Sequence, residues 1–391
     1  MPTWTNWSGR VRADPAEIVR VADEAAAIAA VRRAARAGVA LRCLGAGHSH
    51  APLVASSGML LDTQDLAGVV RVDAARSTAT LRGGTRISAL GAPLRHAGVA
   101  LHNQGDIDRQ SIAGAVATGT HGTGRELRNL SAGVIAARVV LASGEVAECD
   151  AQREPELFEL ARLSLGAAGV VSELTVSVRP AYKLAEWMWL EPLDEVLARV
   201  DELARATRHF EFFWMPGSER AACKALAETN AEPVYPLASE GARCAWSYEV
   251  LANERNDKHT EMEYSVPIAR GPACIAALRA LIARDFPDLR WPLEYRTLAA
   301  DDLWLSTASG RATATISVHQ GAELPDEPLF RACEEIFAAH EGRPHWGKVH
   351  YRTGAELASL YPRWGDWWRA RDRYDPDGLF LNPHLCSLRP S

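Results

Sequence analysis

Hydrophobic and polar residues follow two periods along the chain, and the switch between them marks most elements. Residues 23–37 are rich in alanine at helical spacing, open on acidic residues and stop at Gly38, which predicts a helix. Apolar runs at 39–44 and 59–62 predict short strands. Residues 69–72 and 78–81 read as a hairpin, followed by a helix over 87–96. Alternation over 134–142 turns at Ser143-Gly144 and pairs with 145–149, and 170–178 alternates as a further strand. In the later half, 193–207 and 328–339 carry an amphipathic helical stripe, while 209–214 and 313–319 read as strands.

Composition divides the chain near Arg179-Pro180. The first 180 residues are dense in Gly, Ala and Val, with little tryptophan after Trp7; from Trp187 onward tryptophans and charges become frequent. A residue before proline is biased away from helix, so a hinge is expected there. The chain has 391 residues, 47% hydrophobic and 24% charged, which fits two α+β domains and excludes disorder. A net charge of −6 argues against a nucleic-acid partner, whose phosphates need a basic face. No apolar run approaches the ~20 residues of a membrane span, and residues 1–10 lack the apolar core of a signal peptide. The seven cysteines are scattered without a CxxC pair, so a reducing, cytoplasmic setting is expected. His345 and His350 lack the HExxH spacing, and no metal is expected.

Two segments are built for close backbone approach. Gly45-Ala46-Gly47-His48-Ser49-His50 follows a predicted strand, and a second glycine-rich stretch runs from Ser111 to Gly124. Bare backbone lets N–H groups gather around an anion. Neither matches GxGxxG or a Walker A loop, so both common nucleotide fingerprints fail while two turns still look able to cradle phosphate.

In these motifs the chain resembles the vanillyl-alcohol-oxidase type of flavoproteins, within it the sugar-lactone and alditol oxidases. The resemblance spans nearly the whole chain: Asn6-Trp7-Ser8-Gly9, the GxGHS turn, Asn103 to Asp108, Gln110 to Gly114, Thr118 to Gly124, Glu261-Met262-Glu263-Tyr264, Glu294-Tyr295-Arg296, His345-Trp346-Gly347-Lys348, Arg371 to Arg373, Asp375-Pro376-Asp377 and Phe380-Leu381-Asn382. It implies an α+β protein with a PCMH-type FAD-binding domain of two α/β subdomains over residues 1–179. A substrate (cap) domain with a large antiparallel sheet would occupy 180–376, and 377–391 would return to the first domain. FAD would be held by Gly45, Ala46, Gly47, His48 and Ser49 of the first turn. Ser111, Gly114, Ala115, Val116, Ala117, Thr118, Gly119, His121 and Gly122 of the second would join them, with Gly105, Asp106, Val171 and Asn382. His48 would carry the flavin covalently. The implied reaction is oxidation of a CH–OH group in a sugar lactone or related polyol by hydride transfer to flavin N5. Reoxidation by O2 would give hydrogen peroxide. An alditol oxidase, a dehydrogenase with another acceptor, or a flavin-binding protein of low turnover are the alternatives.

Such chemistry needs fixed positive charge where negative charge develops. Glu294 and Arg296 lie two apart on a predicted strand, which places both on one face where they should pair. The resemblance makes Arg296 a clamp on substrate oxygen, with Glu294 holding it or binding a hydroxyl. Lys348 is one of only four lysines in an arginine-rich chain, and a compact ammonium there suits alkoxide stabilisation. His319 is the candidate base or hydroxyl partner. Asp106 stands where alditol oxidases carry a serine, and with Glu294, Arg296 and Lys348 it completes the expected substrate contacts. Gly105 would leave room for O2 beside the flavin.

Overall fold

A computed structural model describes residues 2–389. The first lobe holds two sheets. Met59–Asp62 pairs in parallel with Glu17–Arg20 on one side and Leu41–Leu44 on the other. The helix Glu24–Ala37 packs on this layer through Ala27, Ala30, Val31 and Ala34, the small residues of its apolar stripe. Its first turn is held by Asp23, which accepts from the Ala26 amide at 2.8 Å. The second sheet is antiparallel, in the order Val146–Asp150, Val134–Val140, Val170–Ser177, Thr78–Arg82, Val69–Asp73.

The second lobe is an eight-stranded antiparallel sheet. Its central strands run in the order Lys183–Pro192, Arg220–Thr229, His209–Trp214, Leu293–Leu298, Thr313–Gly321 and His259–Pro267. The helices Leu193–Ala206, Gly271–Asp285 and Glu327–Ala339 bury their apolar stripes against one face, among Phe210, Phe212, Tyr264, Tyr295 and Ile316. Because side chains alternate along a strand, the residues between these point the other way, toward a cavity. Glu261, Glu263, Glu294, Arg296, Ser317 and His319 all lie on that second parity.

Two readings change here. The stretch 111–124 was expected as a glycine loop, yet Ile112–Thr118 is a helix. Ser111 caps it, accepting from the Gly114 amide, and small alanines carry it to Gly119. The helix expected over 87–96 is broken into Ile87–Ala89 and Gly91–His96. The chain also re-enters the first lobe's core upstream of residue 377. Trp346, Trp364, Trp367 and Trp368 are buried with Leu157, Leu160 and Leu174, and the Trp367 indole donates to the Leu163 carbonyl at 3.0 Å. Tryptophans drive this return because each buries a large apolar surface, and Trp346 and Trp367 also find carbonyl partners for their N–H groups. The resemblance implies a returning segment over 377–391, and buried aromatic side chains upstream of it pack in the same core.

Candidate active site

The first turn is clamped from both sides. The Asn6 amide donates to the Ser49 carbonyl at 3.0 Å, the Trp7 N–H donates to the Gly47 carbonyl at 2.7 Å, and the His50 N–H donates to the Gly347 carbonyl at 2.7 Å. Gly47 has φ +67°, a conformation that strains any side chain. A Cβ on Gly45 would lie 2.3 Å from Ser111 Oγ, so the two turns approach as closely as bare backbone allows. Behind them the buried Arg42 guanidinium donates to the carbonyls of Leu53, Leu165 and Gly166 at 2.6 to 2.9 Å, and to that of Phe380, joining the walls.

The result is a cleft of about 1130 Å³, counted to its open mouth. Gly45, Ala46, Gly47, His48, Ser49, Ser111, Gly114, Ala115, Ala117, Thr118 and Val171 line it, as expected for the cofactor. Seven expected residues do not: Gly105, Asp106 and His121 line a neighbouring cavity instead, and four others line neither. Val116 is buried in the core, Gly119 ends the helix, and Gly122 packs where a Cβ would meet the Gln104 carbonyl oxygen at 2.2 Å. Asn382 spends its amide on the carbonyls of Pro52 and Ala55, both at 2.8 Å, and its oxygen on the Leu385 amide. It fixes the 52–55 wall without reaching the space. His48 stacks on Trp7 with ring centroids 5.6 Å apart. Burial, then the Lys348 charge, pushes its pKa down to about 4, so its imidazole is neutral at physiological pH.

A second cavity, about 1890 Å³ to its mouth, meets the cleft at Gln110, Thr120, His345 and Lys348, which line both. Gly105, Asp106, His121, Glu294, Arg296 and His319 all face it. The expected pairing of Glu294 with Arg296 is present at 3.5 Å, but Arg296 shares itself with Glu263, which makes the closer contact. Strand register explains the choice: Glu294 and Glu263 flank Ser317 on the central strand, and Arg296 reaches back across it. Glu263 also accepts from Ser317 Oγ at 2.7 Å and lies 3.0 Å from His121 Nε2. Lys348 is anchored by Glu261 in the same manner.

These pairs divide the carboxylates by protonation. Buried Glu263 stays ionised, held well below the usual carboxylate range by Arg296 and then His121, which outweigh its burial. Lys348 likewise holds Glu261 low against burial. Glu294 shares Arg296 with Glu263, and burial pushes it up to about 8 against the Arg296 charge, with Glu211, Asp106 and Glu261 adding repulsion. Asp106 is paired instead with Arg255, at 3.3 Å. His319 Nδ1 faces the Pro292 carbonyl at 2.8 Å, which leaves Nε2 as the acceptor turned to the cavity, and burial lowers its basicity.

Glu261 and Glu263 are the main residues that sequence reasoning left without a role, although their motif was noted. Their i, i+2 spacing is that of Glu294 and Arg296, and buried acids on one strand face are a signal for a partnered cation.

The FAD binding domain model matches residues 15–150, and that of the D-arabinono-1,4-lactone oxidase family matches 174–246 and 234–388. The chain belongs to the D-arabinono-1,4-lactone oxidase family. Its cofactor is FAD, and the cradle fits that group because Gly45, Gly47 and Gly114 leave backbone bare along the cleft. Among family relatives, the L-gulono-1,4-lactone dehydrogenase of Mycobacterium tuberculosis is 36% identical over 98% of both chains. The alditol oxidase of a Streptomyces species is 29% identical over 98% of both. The L-gulonolactone oxidase of Bos taurus is 25% identical over 88% of both. Cholesterol oxidase from B. sterolicum superposes with a TM-score of 0.87 at 16% identity, covering 99% of this chain and 96% of that one, which places the fold alone. The expected PCMH-type architecture with a large antiparallel sheet is therefore the observed one.

Proposed function

We propose that the protein oxidises a secondary alcohol of a sugar lactone or related small polyol and passes the electrons to O2. The observation that carries this reading is the junction of cleft and cavity. There two cations, Arg296 and Lys348, are each anchored by a buried carboxylate and face the same space. FAD, when bound, supplies the acceptor for the substrate hydride. The side chains of this chain do the rest. Lys348 meets the charge that develops on the substrate oxygen, and Arg296 orients a neighbouring oxygen. His319, neutral with its Nε2 free, takes the hydroxyl proton, and the imidazolium so formed lies 3.7 Å from Glu261. Glu294 keeps its proton at neutral pH and donates to a substrate hydroxyl. Asp106, fixed by Arg255, closes the wall.

His48 is read as the covalent attachment point, since a neutral imidazole nitrogen on the cleft wall is the nucleophile such a bond requires. Yellow colour remaining with acid-precipitated protein tests it; a colourless pellet removes the linkage. The acceptor reading rests on Gly105, which lines the second cavity with its nearest neighbour, the His121 carbonyl oxygen, 3.3 Å from where a Cβ would sit. A second reading, a dehydrogenase with another acceptor, is favoured by the name of the mycobacterial relative. A panel of lactones and alditols, read by flavin bleaching without oxygen and by peroxide in air, separates them. Bleaching without peroxide selects the dehydrogenase; no bleaching by any of them overturns the substrate class. We place the protein in the bacterial cytoplasm: all seven cysteines are free, and among the described residues no helix is long and apolar enough to cross a membrane. Nucleic acid is no expected partner at this charge.

A further inference from the structure

At one corner of the second cavity, His259 and His319, with the buried His50 behind them, surround a single carboxylate. His50 Nε2 lies 3.8 Å from Glu261 Oε2, His259 Nε2 lies 3.9 Å from the same oxygen, and His319 Nε2 lies 3.7 Å from Oε1. Donor atoms of His50, His259 and Glu261 all fall within 4.8 Å of one another. The rings are fixed from behind. His259 Nδ1 faces the Asp257 carbonyl at 3.0 Å and His319 Nδ1 the Pro292 carbonyl at 2.8 Å. A carbonyl only accepts, so each Nδ1 carries the hydrogen and each Nε2 presents a lone pair toward Glu261. Backbone support of this kind is how metal-ligating histidines are oriented. His50 is buried with Nδ1 unpartnered, and burial keeps it uncharged. Trp7 and Trp291 pack against His259 with centroids 5.1 and 5.4 Å away, so the rings stay together.

We propose that His50, His259 and Glu261 form a three-ligand binding site for a borderline transition-metal dication such as Zn²⁺, with water as the fourth ligand, and that its occupancy inhibits the enzyme. Tetrahedral zinc with bonds of about 2.0–2.2 Å sets donor atoms roughly 3.3 Å apart. The histidine–carboxylate distances need close by only about half an ångström. Imidazole donors select zinc, copper or cobalt over magnesium or calcium. The inhibition follows from competition: Glu261 also holds the Lys348 ammonium, and a dication on that carboxylate displaces it. This clause rests on the proposed function, whereas the binding itself does not.

The test uses the flavin-loaded protein, freed of metal with a chelator and dialysed against ZnCl2. One Zn²⁺ per chain is expected at micromolar concentration, unaffected by excess Mg²⁺, and weakened by about tenfold or more in His50→Asn and in His259→Asn. No stoichiometric binding below ~100 µM, or binding unchanged in both variants, overturns the site. Should either variant fail to retain flavin, the visible spectrum of Co²⁺ on the wild-type protein decides: nitrogen–oxygen tetrahedral bands support the site, and a thiolate charge-transfer band assigns the metal to cysteine instead. Turnover that falls with Zn²⁺ and returns with chelator supports displacement of Lys348. Binding with full turnover overturns the inhibition. Zinc bound by a protein that oxidises no lactone or polyol keeps the site and refutes the function.

Discussion

The two halves of the joined cavity are specified in opposite ways. The cofactor cleft is made by leaving side chains out: glycines and alanines bring two turns to within one hydroxyl of each other, and the work is done by backbone. The second cavity is made by putting charges in, each cation tied to a buried acid from another segment of the chain. Such pairs contribute little net stability, but breaking one leaves a buried charge uncompensated. Shape errors should therefore harm cofactor retention, and charge errors should harm turnover with the cofactor still in place.

The largest expected effect separates these halves. Arg296→Ala or Lys348→Ala should retain flavin and lose about 10²- to 10³-fold in turnover, read by stopped-flow flavin reduction. Near-normal rates in both would place the chemistry elsewhere. Conversely, Gly45→Val drives a branched side chain into Ser111. Flavin occupancy of the purified protein should fall about tenfold or more, since the volume has nowhere to go; full occupancy would show that the turns need not approach so closely.

Smaller effects sharpen the boundary. Asn382→Ala removes three carbonyl contacts and a helix cap, so unfolding in urea should cost ~1–3 kcal/mol less. Turnover per bound flavin should stay unchanged; a selective loss of turnover would return Asn382 to the site. The mildest is a pH effect. Burial first, then neighbouring acids, raises Glu294 to about 8, so its donor is present below that pH and lost as pH rises through it. kcat/KM should decline above about pH 8, and Glu294→Gln should flatten that limb because the amide remains a donor. The same shift makes Glu294 a source of stability that fades between its ordinary range and pH 8, as its protonated form is the one the fold prefers.

Much of this was legible in the residue order. Periodicity located His209–Trp214 as observed, and the stripe over 193–207 became the helix Leu193–Ala206. The glycine turns announced themselves because a close backbone approach excludes almost every other residue type. The helix Ile112–Thr118 was hidden because alanine and glycine serve helix and loop alike, and the Ser111 cap gains meaning only once the helix exists.

The chain order dictated which strand faces are charged and which are apolar, since alternation is a local property of extended backbone. It could not say which acid each cation takes. Arg296 pairs with its near neighbour Glu294 but makes its closer contact with Glu263, because antiparallel register carries Glu263 and Ser317 to its reach from strands tens of residues away. The same register sets His319 opposite Glu261, His259 lies two residues away on the same strand, and the packing of the first lobe adds His50. Short-range electrostatics acts over a few ångströms, and only the packed fold sets distances on that scale between residues far apart in the chain.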